Sequence, residues 1–151
     1  MIRAFMTVLV SCTLLGSTSC GSTPPVKKPE TRTEQAGQNA TGIPDGIDPK
    51  QTSDDPTSGY TKDNPIKVGG TKGFSGPSSE QLYLRHLRDS RFRPMYFERI
   101  GSFGAGPDGH TLDGYELTGK DGTTFTLYID MYHSEVHPFH VEAPKGMYFW
   151  K

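Results

Sequence analysis

The sequence predicts an α+β fold, in which one helix packs on an antiparallel sheet of about four strands, preceded by a signal peptide and a disordered linker. Three observations lead to this prediction. An apolar amino-terminal segment ends in small residues, residues 20–59 contain no aromatic side chain, and residues 60–151 hold helical and alternating apolar patterns. We therefore divide the chain into a signal peptide at 1–19, a tether at 20–59 and a small domain at 60–151.

The amino-terminal segment has the order of a secretory signal peptide. A charged start at Arg3 precedes a mostly apolar run over 4–15, and small residues follow at 16–19. A helix that spans a bilayer needs about 20 apolar residues, so this run is too short for one. We expect export of the chain rather than a transmembrane helix.

Cys20 directly follows these small residues, and the arrangement resembles the lipobox of bacterial lipoproteins. The resemblance implies cleavage before Cys20 and its lipidation, although Ser17 stands where the class usually has an aliphatic residue. A rival box at 9–12 leaves too little apolar length ahead of it. The alternatives are a secreted protein cleaved near Ser19 with a free Cys20, or an apolar amino-terminal core helix.

Three acyl chains, as expected of that class, hold a protein on a bilayer far more firmly than one chain does. The two residues after the cysteine, Gly21 and Ser22, are not the aspartate that resembles an inner-membrane retention mark. We therefore expect a membrane contact through the lipid, at the outer membrane and facing the periplasm.

Composition limits what the other two segments can form and which partners they can bind. Residues 20–59 cannot bury enough apolar area to offset the entropy cost of ordering them, so we expect a disordered tether. With Cys12 removed and Cys20 lipidated, a disulfide or a cysteine-based zinc site is excluded. Residues 60–151 contain 11 Lys and Arg against 11 Asp and Glu, and this balance argues against a nucleic-acid partner.

The first predicted element of the domain is a helix over 78–89. Pro77 suits a first helical turn, and Ser78 with Gln81 three positions later has the pattern of a capping box. Pro94 prevents the helix from continuing. Three apolar side chains recur at helical spacing and predict the buried face: Tyr83, Leu84 and Leu87.

Four strands are predicted after the helix, over 95–100, 112–118, 124–132 and 146–151. The third has the clearest alternation, and the side chains expected in the core, under the helix, are Phe125, Leu127, Ile129 and Met131. Asp121 and Gly122 suit a tight hairpin turn. The glycine-rich stretch 101–109 lacks the ending of a P-loop and leads toward a strand, so it is predicted as a flexible loop.

The candidates for chemistry are weak. A metal site is not favoured, and the weak candidates for zinc ligands are Asp130, His133, His137 and His140. Pro138 breaks any helix that would align His133 with His137, which favours a solvated loop with incidental histidines. The scattered carboxylates form no recognisable catalytic set, so we assign no catalytic residue and no cofactor and expect a protein that is not an enzyme.

A surface for a protein partner is the other candidate. Tyrosine contributes large area and a hydrogen bond at low entropic cost. The side chains proposed for this surface are Tyr96, Tyr128, Tyr132 and Tyr148. The alternative is that these rings pack beneath the loop 134–145.

The order and spacing of several motifs resemble a group of small bacterial cell-envelope lipoproteins of uncharacterised function. The motifs are residues 59–70, Gly76-Pro77, Glu80, Tyr83-Leu84, Tyr96, Arg99, Gly101-Ser102, Leu112-Asp113, Tyr115-Glu116, Leu127-Tyr128, Met131-Tyr132 and 143–146. Members often have two cysteines where this chain has Phe103-Gly104, and an Asn and Asp where it has Asp130 and His133. Similar sequences are sometimes labelled as a sugar-acid phosphate aldolase, but that enzyme's barrel needs about 250 residues.

Together these patterns favour a lipid-anchored envelope lipoprotein with a small, non-enzymatic binding or structural domain. The first alternative is an inhibitor or immunity-type lipoprotein that binds another envelope protein. The second is a periplasmic protein that binds zinc.

Overall fold

The structure is a computed structural model that describes residues 40–70 and 75–151. Its elements, in chain order, are a 3-10 helix (Pro49–Gln51), β1 (Ile66–Lys67), α1 (Gly76–His86), β2 (Leu87–Arg88), β3 (Tyr96–Ala105), β4 (Thr111–Thr118), β5 (Thr124–Asp130), a second 3-10 helix (Pro138–His140) and β6 (Tyr148–Phe149). No helix among these residues is long and apolar enough to cross a membrane. The predicted signal peptide and the first part of the predicted tether, 20–39, lie outside the described residues.

The predicted fold class is confirmed, since α1 packs on a four-stranded sheet with the order β1-β5-β4-β3. Strands β3, β4 and β5 form an antiparallel meander, and β1 adds to β5 in parallel. The last predicted strand is placed differently, because β6 pairs with β2 in a separate two-stranded sheet. The edge position expected for the carboxyl terminus is taken by β1.

One face of the four-stranded sheet forms the core with α1. The predicted helix face is fully buried, and it packs with Leu117, Leu127 and Ile129. Phe125 and Met131 are partly buried and pack against the same cluster. The alternation predicted for β5 and its cover by the helix are therefore confirmed.

The helix limits differ from the prediction at both ends. The helix starts at Gly76 after Ser75, which makes no side-chain capping bond, and the predicted capping box is wrong. Ser79 uses its hydroxyl to donate to the Gly69 carbonyl instead. The helix ends at His86, three residues early, because β2 takes an extended backbone to pair with β6.

The glycine-rich stretch is a strand and a tight turn, so its prediction as a flexible loop is wrong. Strand β3 continues to Ala105 and pairs with β4, with register shifts after Arg99 and after Ser102. Gly114 on β4 has no room for a side chain, because a Cβ there would lie 2.2 Å from the Phe103 ring. The hairpin predicted at Asp121-Gly122 is confirmed, since the Gly119 amide donates to the Thr123 carbonyl and β4 pairs with β5 on either side of the turn.

The folded part begins before the predicted boundary at residue 60, so the tether prediction is wrong for residues 40–59. Ile47 is buried and bridges to Trp150. Ser53 donates its amide to Ala143, which donates in turn to Gln51. These backbone partners supply the ordering free energy that the local composition lacks.

A buried carboxyl group joins the helix to the sheet. Glu80 on α1 is 0% exposed and accepts a hydrogen bond from the Tyr115 hydroxyl at 2.8 Å, while its Oε1 has no partner. Burial raises the pKa of Glu80 to about 7, and the nearby Asp113 adds to that effect. Arg99 binds Asp113 through two hydrogen bonds beside this pair.

Replacement of Glu80 by Gln tests this burial. The unfolded chain ionises Glu80 near pH 4.5 and the folded chain near 7, so the folded state holds the extra proton and loses stability as pH rises through this interval. Glu80→Gln should remove that loss and gain up to about 3 kcal/mol over the parent at pH 8. Denaturant unfolding at pH 5 and pH 8 measures the difference in free energy of unfolding between the variant and the parent. An equal difference at both pH values would contradict the raised pKa of Glu80.

Removal of residues 40–59 tests the revised boundary. A chain that starts at residue 60 loses the buried Ile47 side chain and the backbone bonds to Ala143, so it should unfold at a lower temperature than a chain that starts at residue 40. Thermal unfolding followed by near-UV circular dichroism measures the difference. Equal unfolding midpoints would show that residues 40–59 do not stabilise the fold, as expected of a tether.

Candidate metal centre

Three potential metal ligands meet where β5 ends and β4 begins. His110 directly precedes β4, Asp130 ends β5, and His133 follows three residues later. Because β4 and β5 are antiparallel, the start of one strand lies beside the end of the other. The sheet therefore brings together side chains that are 20 residues or more apart in the sequence.

The turn between β3 and β4 positions His110. The amide of Gly106 donates to the His110 carbonyl at 2.7 Å, and Gly109 adopts a positive φ of 81° that favours glycine. A Cβ at Gly106 would lie 2.6 Å from the Leu112 side chain. These contacts hold the turn close against the sheet.

Contacts with the segment after β1 position His133. Its amide donates to the Val68 carbonyl at 3.2 Å, and the amide of Gly69 donates to Val136 at 3.1 Å. A Cβ at Gly69 would lie 1.8 Å from the His133 carbonyl oxygen, so only glycine permits this approach. The backbone of His133 is thereby fixed against β1.

Asp130 is the centre of the cluster and is 0% exposed. Its Oδ1 accepts a hydrogen bond from the Tyr132 amide at 3.0 Å. Its Oδ2 lies 3.1 Å from His110 Nδ1 and 3.1 Å from His133 Nε2. A buried carboxylate is costly unless positive charge or hydrogen bonds compensate it, so these two imidazoles matter to its burial.

The imidazole of His133 has an unsatisfied nitrogen. Its Nδ1 lies 3.3 Å from Glu135 Oε1, and this carboxylate accepts a hydrogen bond in the tautomer that carries the proton on Nδ1. Nε2 is buried and makes no hydrogen bond, although it lies 3.1 Å from Asp130 Oδ2. In that neutral tautomer the Nε2 lone pair faces a carboxylate oxygen, and either a proton on Nε2 or a metal ion between the two atoms removes the repulsion.

A second carboxylate borders the cluster. Asp108, in the β3–β4 turn, places Oδ2 at 3.3 Å from His133 Nε2. The same oxygen forms a salt bridge with Lys67 on β1, and this hydrogen bond holds the pKa of Asp108 below its usual value. The turn therefore reaches across the end of the sheet to its opposite edge strand.

Two of the three separations between candidate ligand atoms are those of a small tetrahedral ion. One ligand atom from each of His110, Asp130 and His133 lies within 4.8 Å of the others. In a tetrahedral zinc site with bonds of about 2.0–2.1 Å, neighbouring ligand atoms are about 3.3 Å apart. The two separations of 3.1 Å to Asp130 Oδ2 are close to that value.

The structure brings together two of the four metal candidates from the sequence, Asp130 and His133. The other two lie around the second 3-10 helix, where the His137 and His140 rings are 5.4 Å apart. His137 uses its Nδ1 to accept from the Phe139 amide. Of the four weak candidates, His137 and His140 therefore lie outside the group of residues whose ligand atoms come together.

Sequence reasoning missed Asp108, which lies within the predicted loop 101–109, and His110, which directly follows that loop. The signal was present in the predicted strand order. In an antiparallel meander, the turn before β4 lies at the same end of the sheet as the end of β5, and both positions carry imidazole and carboxylate groups. A prediction of 101–109 as a flexible loop, made without regard to the strand order, does not show that these residues lie at the same end of the sheet.

The four tyrosines proposed for a partner surface are spread over both sheets. Tyr148 contacts Phe92 in the two-stranded sheet, and Tyr128 contacts Phe103 on the larger one. Tyr96 is 68% exposed and pairs with Thr118 on β4, whereas Tyr128 pairs with Gly114 on the same strand. Four residues, or about 13 Å, separate these two positions along β4. Tyr132, also exposed, lies beside the His110 ring at 5.3 Å.

Comparison of the chain with protein-family models, curated proteins and solved structures finds no match.

Proposed function

We propose that this chain is a lipid-anchored envelope protein whose folded domain binds a divalent transition-metal ion. The ligands are His110, Asp130 and His133. The observation that carries the proposal is the buried Nε2 of His133, which makes no hydrogen bond and faces the buried Asp130 carboxylate. An ion between these two groups would satisfy both.

The surroundings of His133 support this role. In metal sites a ligating histidine commonly donates its other ring N–H to a carboxylate, which fixes the tautomer and orients the ring. Glu135 stands at that position relative to Nδ1 of His133. The imidazole is therefore oriented with Nε2 toward Asp130.

The ligand chemistry favours zinc. Imidazole nitrogen suits zinc, copper, iron and nickel, whereas magnesium and calcium prefer sites built from oxygen alone. Zinc binds histidine and aspartate in tetrahedral sites and needs no redox partner. The positive charge of the ion would also compensate the buried Asp130 carboxylate.

The proposed location depends on residues 1–20 and is supported by their sequence. A charged start, an apolar run, small residues and a cysteine occur in the order that lipoprotein export requires. The described residues begin at residue 40, so residues 21–39 separate them from Cys20 in the sequence.

Zinc titration of the lipidated protein in detergent micelles tests the metal site. Isothermal titration calorimetry should find one ion per chain, and His133→Ala should weaken binding by at least about tenfold because it removes a ligand. Cobalt substitution should give the intense visible bands of a tetrahedral site. The absence of zinc binding would contradict the proposal.

His140→Ala is the matched control, since His140 is an exposed histidine of the same chain that lies outside the ligand set. It should bind zinc like the parent. A loss in this variant as large as that in His133→Ala would point to nonspecific binding by surface histidines.

Replacement of Cys20 by Ala tests the anchor. The parent protein, expressed in a bacterium with a lipoprotein pathway, should partition into the detergent phase of Triton X-114, and intact mass should show a lipidated residue 20. Cys20→Ala should move to the aqueous phase because it has no thiol to modify. Equal partition of both proteins, or an unmodified Cys20 in the parent, would argue against anchoring.

A further inference from the structure

We propose that Asp108 is the fourth ligand of the ion, and that it exchanges Lys67 for the metal when the ion binds. This inference rests on the proposed function and concerns the same site. It predicts a closed site of two histidines and two aspartates, without a position for water or substrate.

Distances support Asp108 as a ligand. Its Oδ2 lies 3.3 Å from His133 Nε2, and Asp130 Oδ2 lies 3.1 Å from the same nitrogen. Both separations are close to the edge of about 3.3 Å in a zinc tetrahedron. His133 Nε2 thus has one carboxylate oxygen near it from the end of β5 and another from the β3–β4 turn.

The position of Asp108 permits a small adjustment. It lies in the tight turn after β3, and its side chain is 34% exposed. Rotation of such a side chain moves no core residue. His110, in the same turn, already reaches Asp130. Asp108 is not among the residues whose ligand atoms all lie within 4.8 Å of one another, so its carboxylate has to move toward Asp130 and His110 to bind the ion.

Lys67 competes with the ion for Asp108. Its ammonium contacts Oδ2, the same oxygen that faces His133, and the ammonium and a dication repel each other at this range. In the sheet Lys67 lies opposite Asp130 in register. Because its side chain is 44% exposed, Lys67 can move into water when Asp108 turns to the metal.

The closed coordination has a functional consequence. Structural and storage sites surround zinc with four protein ligands, while catalytic sites keep one position for water or substrate. Four ligands from this chain would hold the ion rather than activate a water molecule. The domain would then retain zinc, or pass it on, and would not hydrolyse a substrate.

Two variants test the exchange in the lipidated full chain. Asp108→Asn should weaken zinc binding by about tenfold to a hundredfold, since it replaces a charged ligand. Lys67→Met should strengthen it by about tenfold, because the competing charge is gone. Asp63→Asn and Lys120→Met, which change exposed residues elsewhere, are the controls and should bind like the parent.

A cobalt spectrum separates ligation from a structural effect. Azide added to the cobalt form of Asp108→Asn should shift the visible bands because a position is open, whereas the parent spectrum should not change. Thermal unfolding without metal should show that the variant folds.

The outcomes distinguish the two proposals. A parent protein that binds no zinc overturns the metal function itself. A parent that binds zinc but matches Asp108→Asn in affinity, or that responds to azide, overturns only the closed site. Weaker binding in Lys67→Met would overturn the exchange.

Discussion

The buried charge of Asp130 is the constraint on which the end of the sheet depends. A carboxylate with no exposure needs compensation within a few ångströms, and two imidazoles and one backbone amide surround it. His110 reaches it from the turn before β4, and His133 reaches it from the segment after β5. These groups do not fully satisfy one another, since Nε2 of His133 is left without a hydrogen bond. The proposed metal ion would supply both the missing partner of Nε2 and the charge that compensates Asp130.

The sheet separates this polar cluster from the apolar core by strand alternation. On β5, Ile129 belongs to the core cluster, and the next residue, Asp130, belongs to the proposed site. Parallel strand β1 repeats the division, since Ile66 lies in the core cluster and Lys67 points to Asp108. The same two strands therefore hold the fold together and position the charges. A change in their register would disturb both at once.

Location and chemistry combine into one proposed role. A lipid at Cys20 would keep the domain at the membrane, and four ligands from the domain would hold a zinc ion there. From the sequence alone, zinc binding is only the second alternative. Two of the candidate ligands named there, Asp130 and His133, belong to the proposed site. Packing of residues 40–59 onto the carboxyl-terminal part makes the folded body larger than the predicted 60–151.

Local periodicity determined the helix face, the alternation of β5 and the Asp121-Gly122 hairpin, because each depends on neighbouring residues and on one-sided burial. Only the tertiary structure decided where the helix ends, since the competing partner of Leu87-Arg88 is a strand 60 residues later. The tertiary structure likewise decided that residues 47–51 are ordered, since their hydrogen-bonding partners lie near the carboxyl terminus. The metal cluster is of this second kind. Its ligands converge through the pairing of β4 with β5 and a turn that crosses the sheet end, contacts that no local pattern of residues encodes.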